Sequence, residues 1–430
     1  MMLRRFAMLF VLTGFLAALS MTSEGLAQAP PTIEDVEDLG LELFFDENLS
    51  IPKKQACVTC HSPDTGFTSS DSDANEIFGI HPGAIKPRFG ARKPPSAAYA
   101  GQAGPLRRVP PAPFVFIEWE GGTFWDGRAT GHKELDPSVA ILGLSNKDIL
   151  AEQALAPFLS EVEQNVQDKQ KVIKAVARGE YADLFKKVWG EDSLDYKDPE
   201  VVEKSYDKLV IAIAAFERSD GVNPFTSKFD YWLKGQATLT ADELEGLALF
   251  EGQGACAGCH LSGRDPNNPP LFTDFAYHNL GLPKNPDNPF YSMPKKINPD
   301  GADFIDRGLA KTLEDLHADG KLVPLLLPGD VPEDIIADEE GKFKTPTLRN
   351  VTRRPYPEFV KSYMHNGIFK SMEEVVEFYN KRDQLFPASV AEVPQTRIPP
   401  FAPPVNMGLT DEQEAKIVLF LHTLEDGYQP

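Results

Sequence analysis

The chain has 430 residues and is poor in several things. Cysteine occurs only four times, too sparsely for the dense disulfide scaffold of a small secreted domain. Lys and Arg number 43 against 64 Asp and Glu, giving a formal net charge of −21. Nucleic-acid binding neutralises phosphates with clustered basic side chains, so a chain this acidic is read out of that class. An acidic balance serves solubility and leaves room for a basic protein partner. Long apolar runs are missing after residue 19, so no membrane span is expected in the mature chain. Strand signals are scarce as well, while 37 prolines and 32 glycines point to long ordered loops between helices. The expected fold class is mainly α.

The N-terminus is the exception. Arg4 and Arg5 precede an apolar run over residues 6–19, and Ala27 and Ala29 supply small residues for cleavage. This is the layout of a signal peptide over residues 1–29, and it predicts export to the periplasm. A retained anchor is the alternative, disfavoured because the run is short of the about 20 residues of a helical span.

Four cysteines in an exported protein ordinarily suggest two disulfides. Here they fall as Cys57/Cys60 and Cys256/Cys259, and His61 and His260 follow at once. In C-x-x-C-H both thiols face one way from a single turn and can form thioethers with the two vinyl groups of one haem. The adjoining histidine then ligates the iron. A redox dithiol or half a zinc site are the competing readings, and neither needs a histidine in register twice. Two covalently attached c-type haems are predicted, with His61 and His260 as proximal ligands.

The repetition extends beyond the motifs. "GLELFFDENLS" and "ELEGLALFEGQ" precede them, and "YDKLVIAIAAFERS" and "QEAKIVLFLHTLED" lie far downstream; all four read as helices with an apolar face. Thr410 with Asp411 and Glu412 makes a helix start. The chain is therefore read as two tandem cytochrome c-like domains, residues 30–234 and 235–430, with long loops and a linker near residues 233–243.

Taken in order, "CVTCHSPDTGFT", "FWDGRA", "FERS", "LFTDFAYHNLG", "KFKTPTLRNV", "YMHNG" and "EEVVEFYN" resemble the bacterial di-haem cytochrome c peroxidases and their methylamine-utilisation (MauG-type) relatives. The likeness runs from about residue 37 to about residue 425. It implies two cytochrome c domains whose haems exchange electrons, the N-terminal one meeting hydrogen peroxide and the C-terminal one handling electrons. Peroxide reduction needs two electrons, and the second haem supplies or stores one of them.

The resemblance also implies site residues. Gln153, Pro157 and Glu163 of "EQALAPFLSEVEQN" match the family spacing at the peroxide site, after an insertion of about eighteen residues following "FWDGRA". Glu163 is the expected general acid/base. Gln153 would orient peroxide, and Pro157 would keep a competing ligand off the iron. An ordinary acidic helix is the plainer reading of this stretch. Trp125 matches the tryptophan between the family's haems, where an indole can relay electrons, although a buried tryptophan is more often simply core. For the sixth ligand of the second haem Tyr379 is favoured over Met364, Met372 and Met407. His81 matches a histidine that caps the first haem in the peroxidases, or is a solvated loop residue. His278 and His365 are expected to form structural hydrogen bonds, and His132, His317 and His422 have no assigned role.

One departure concerns calcium, which the family holds between its halves through an asparagine side chain and backbone oxygens. Lys93 stands at the asparagine position and "RRPYPEFVKSYMHNG" replaces the backbone stretch, so calcium is not expected there. The predicted function is peroxide reduction with electrons from a small redox protein. The alternatives are oxidation of aromatic residues in a partner protein and, from another class, a non-catalytic di-haem electron carrier.

Overall fold

Two helix pairs organise the chain. Ile33–Phe45 starts at Thr32, whose hydroxyl accepts from Asp35 N–H while the Asp35 carboxylate accepts from Thr32 N–H. It packs against Pro199–Arg218, which carries the apolar run around Leu209 and Ile213. The second pair is built the same way. Thr240 and Glu243 form the box that starts Ala241–Glu251, and Thr410 and Gln413 form the one that starts Asp411–His422.

Both crossings rely on a glycine. A Cβ on Gly40 would lie 2.0 Å from the Ala212 carbonyl oxygen, and one on Gly246 would lie 1.9 Å from that of Lys416. Backbone meets backbone at each crossing, which only glycine permits.

The computed structural model describes residues 30–110, 118–386, 388–393 and 407–430; the expected signal peptide lies outside them. Strands among these residues are two-residue pairs only. Arg107–Arg108 is antiparallel to Trp119–Glu120, and Tyr277–His278 is antiparallel to Phe343–Lys344 with Tyr277 opposite Lys344. The fold is thus mainly helical with little sheet, as expected from composition. No helix among the described residues is long and apolar enough to cross a membrane.

Apolar side chains collect in three clusters. The first includes Val36, Leu43, Leu209 and Phe216, and the second includes Leu247, Phe272, Ile417 and Phe420. A third joins Leu106 and Trp119 to Tyr277, Leu309 and Leu322, so it is shared by the earlier and later parts of the chain. Each buried leucine or phenylalanine contributes about 1.5–3 kcal/mol, and the third cluster ties the two halves together with the same currency of burial.

Candidate functional site

Each C-x-x-C-H motif follows closely on its leading helix. Cys57–Cys60 forms a helical turn, and Cys256–Gly258 a 3-10 turn immediately after Ala241–Glu251. All four cysteines are free thiols. Burial pushes Cys57 and Cys256 up to about 12, the reverse of what a redox dithiol needs.

Both histidines are set up as ligands. His61 Nδ1 donates to the Phe67 carbonyl at 3.2 Å, and His260 Nδ1 donates to the Phe272 carbonyl at 2.8 Å. A carbonyl only accepts, so the hydrogen sits on Nδ1 and the Nε2 lone pair is free for a metal. Burial, the dominant influence, drives the His61 pKa down to about 4 and keeps the ring neutral. Phe67 and Phe272, which present these carbonyls, both have left-handed backbone, with φ of 58° and 53°.

Around His61 lies a cavity of about 470 Å³, lined also by Cys57, Cys60, Gln153, Pro157 and Glu163. The acidic stretch does not continue as a helix. Ile149–Ala154 stops after six residues, and tight turns carry Pro157 and Glu163 to the cavity wall. Burial raises the Glu163 pKa, opposed by a hydrogen bond from Ser160 and by the charge of Arg128. His81 lines the same cavity, its Nδ1 lying 2.8 Å from the Pro82 carbonyl and 3.4 Å from Cys60 Sγ.

The second cavity is lined by Cys256, Cys259, His260 and Tyr379, and also by Met364 and Met372. Met407 packs, like Met364 and Tyr379, against the second apolar cluster but does not line this cavity. Tyr379 projects from the helix Met372–Leu385, and burial raises its phenol pKa. A bound metal ion would reverse that preference, because its charge stabilises the phenolate. His278 donates through Nε2 to Asp274 at 2.9 Å; burial opposes its protonation, but Asp274 and the Cys259 sulfur push its pKa up to about 10. His132, His317 and His422 lie against the Leu106 carbonyl, Glu333 and Glu425 respectively.

Trp125 lines both cavities. Its indole N–H donates to the Lys93 carbonyl at 2.9 Å, and the Lys93 ammonium lies 5.9 Å from its ring centre. The surroundings reveal a duplication that the motifs only hint at. Phe124-Trp125-Asp126-Gly127 and Met364-His365-Asn366-Gly367 share left-handed backbone at their first and last residues. Lys344 N–H donates to the Trp125 carbonyl at 2.8 Å, and Lys93 N–H donates to the His365 carbonyl at 2.9 Å. Trp125 and His365 are therefore counterparts, each tied to the opposite half of the chain.

Three groups escaped the sequence reading. Arg92 bridges Asp126 and Asp306 across the halves, and Arg128 lines the His61 cavity while pairing with Asp126. Glu217 is buried at the wall of that cavity, its Oε2 has no hydrogen-bond partner, and burial raises its pKa to about 8. "FERS" displayed Glu217, but nothing local to it distinguished a cavity wall from a helix surface.

Paired thiols beside a neutral imidazole at the wall of a cavity fit a covalently attached haem, and the chain presents that set twice. The arrangement is that of a di-haem c-type cytochrome. A family model described as di-haem cytochrome c peroxidase matches residues 34–238. The methylamine utilization protein MauG of Paracoccus denitrificans is 30% identical over 419 residues, covering 94% of this chain and 92% of that protein. The cytochrome c551 peroxidase of Nitrosomonas europaea is 28% identical, covering 93% of this chain and 82% of that one. Among solved structures, the diheme peroxidase BthA from Burkholderia thailandensis has 26% identity and a TM-score of 0.67, with 93% of this chain and 88% of that chain covered. The chain belongs to the di-haem cytochrome c peroxidase family, and it is an oxidoreductase of that class.

Proposed function

We propose that the chain is an exported peroxidase that reduces hydrogen peroxide; His61 and His260 would each hold one haem, the first supplying an iron open to peroxide and the second an electron given or stored. A c-type haem supplies an iron that passes single electrons and, where one position stays open, binds peroxide. The observation that carries this reading is the convergence of Gln153, Pro157 and Glu163 on the cavity that holds His61. Glu163 moves a proton from the inner to the outer peroxide oxygen, so that two electrons and two protons yield two water molecules. Gln153 orients peroxide through its amide. Pro157 offers no side-chain donor or acceptor and leaves the open position to substrate. Trp125, at the wall of both cavities, relays electrons between them.

The two cytochrome c-like domains, residues 30–234 and 235–430, each bring one attachment motif. The signal peptide delivers the chain to the periplasm, and the electrons come from a small redox protein. In a second reading, favoured by Tyr379 at the wall of the His260 cavity, the stored oxidising power is used on aromatic residues of a partner protein. An anionic phenolate ligand stabilises oxidised iron and suits storage more than delivery of electrons at high potential. A non-catalytic carrier has no use for Gln153 and Glu163 beside its iron.

Glu163→Gln keeps the shape and removes the proton carrier. Peroxide turnover should fall by about 10²–10⁴-fold with both haem spectra intact. Unchanged turnover would remove Glu163 from the mechanism.

A further inference from the structure

Three backbone carbonyls converge on one point between the two halves of the chain. They belong to Thr65, in the turn after the first C-x-x-C-H, and to Asn350 and Arg353 in the later half. The point is filled by the side chain of Lys361, whose Nζ donates to them at 2.8, 3.0 and 3.2 Å. Lys361 is only 5% exposed. Burial, with the charge of nearby Lys93, pushes its pKa well below the ordinary lysine range. The geometry nevertheless requires the ammonium, because three acceptors need three hydrogens and a neutral amine has two.

The cradle is closely packed and hydrogen-bonded. Gly66 has φ of +69°, and a Cβ there would lie 2.6 Å from the Asn350 carbonyl oxygen. Asn350 is held in a left-handed conformation by Asp426, donating from Nδ2 to its carboxylate at 2.7 Å and accepting from its N–H at 2.8 Å. Arg353 donates to the Asp426 carbonyl at 2.8 Å. Carbonyl oxygens brought together from separate loops are ligands for a hard cation such as calcium. An ion of that kind does not fit here, since one ammonium occupies the carbonyls and that of Lys93 lies close by.

We propose that Lys361, with Lys93 beside it, is a built-in cation that takes the place of calcium between the halves and holds the two haem sites in register. Two ammoniums carry the formal charge of one calcium ion. Unlike an ion, they cannot be lost to a chelator.

The test combines metal analysis of the purified holoprotein with thermal unfolding, before and after dialysis against EGTA, alongside Lys361→Met. The dialysed wild type should contain far less than one calcium per chain, with an unchanged unfolding midpoint. Lys361→Met strands three buried carbonyls and should lower the midpoint by at least about 5 °C. One tightly held calcium per chain, or a midpoint that drops with EGTA, would overturn the proposal; so would a Lys361→Met midpoint equal to wild type. If that variant yields no holoprotein, the calcium content and EGTA response of the wild type decide alone. None of these readouts depends on peroxide turnover, so a negative result here leaves the peroxidase reading standing.

Discussion

Glu163, the proposed proton carrier, stands at the cavity wall where the chain leaves its helix. Ile149–Ala154 ends after six residues, and the turns that follow bring the Glu163 carboxyl to the cavity wall. Burial then raises its pKa, which sets a pH dependence. The group must be ionised to accept the first proton from peroxide, so turnover should decline as pH falls through the raised pKa. That limb should lie above the ordinary glutamate value of about 4.3 and disappear in Glu163→Gln. A pH–rate profile of both proteins checks this, and a limb surviving in the variant would assign it to another group, with Glu217 the first candidate. Gln153, Pro157 and Glu163, grouped in the sequence by the spacing the family resemblance implies, lie on one cavity wall, and their roles remain a proposal. Lys361 was not legible in the sequence: its meaning lies in the carbonyls of Thr65, Asn350 and Arg353, two of the loops involved being almost 300 residues apart.

At the scale of the elements, the leading and closing helices could be read in advance. Their apolar periodicity is a property of consecutive residues, and so is the start of Asp411–His422 at Thr410; Pro199–Arg218 starts at Asp198 instead. How the helices cross could not, because the contact of Gly40 with Ala212, or of Gly246 with Lys416, joins segments that share no local signal. Gly246→Ala should therefore act through packing alone. Its methyl meets a backbone oxygen that cannot rotate away, the helices must separate, and stability should drop by about 1–3 kcal/mol. Denaturant unfolding of the holoprotein measures the loss. A variant as stable as wild type would mean that the crossing tolerates displacement, and Gly40→Ala would then be expected to be equally silent.

The whole molecule is held across its halves by polar contacts as well as by the third apolar cluster. Arg349 donates twice to Asp230 with both side chains fully enclosed, and Arg92 joins Asp126 to Asp306. Buried Glu339 and the Glu118 carboxylate flank the Lys342 ammonium, which lies 3.0 Å from the first and 3.4 Å from the second. Burial, then the neighbouring Glu118 carboxylate, raises the Glu339 pKa to about 8. Because this pKa is higher in the folded than in the unfolded chain, the folded state keeps the proton longer. The stability so gained is complete below the ordinary glutamate range and is lost as pH rises through about 8. Glu339→Gln stays neutral, so its unfolding midpoint should gain on wild type between roughly pH 5 and pH 9. Parallel curves would show that Glu339 is ionised throughout. None of these cross-chain pairs announces itself in sequence, since a charged residue awaiting a distant partner looks like any solvated one.

The central claim is that two haems, on Cys57/Cys60/His61 and Cys256/Cys259/His260, form one peroxide-reactive unit. Absorption and EPR spectra of the holoprotein, taken before and after one equivalent of hydrogen peroxide, test it most directly. The expected result is one high-spin and one low-spin ferric haem at rest, no methionine-type charge-transfer band, and loss of both ferric signals together on adding peroxide. Two low-spin haems, one with the methionine band, that ignore peroxide until the protein is half-reduced would contradict it; His81 would then cap the first haem and Tyr379 would not bind the second.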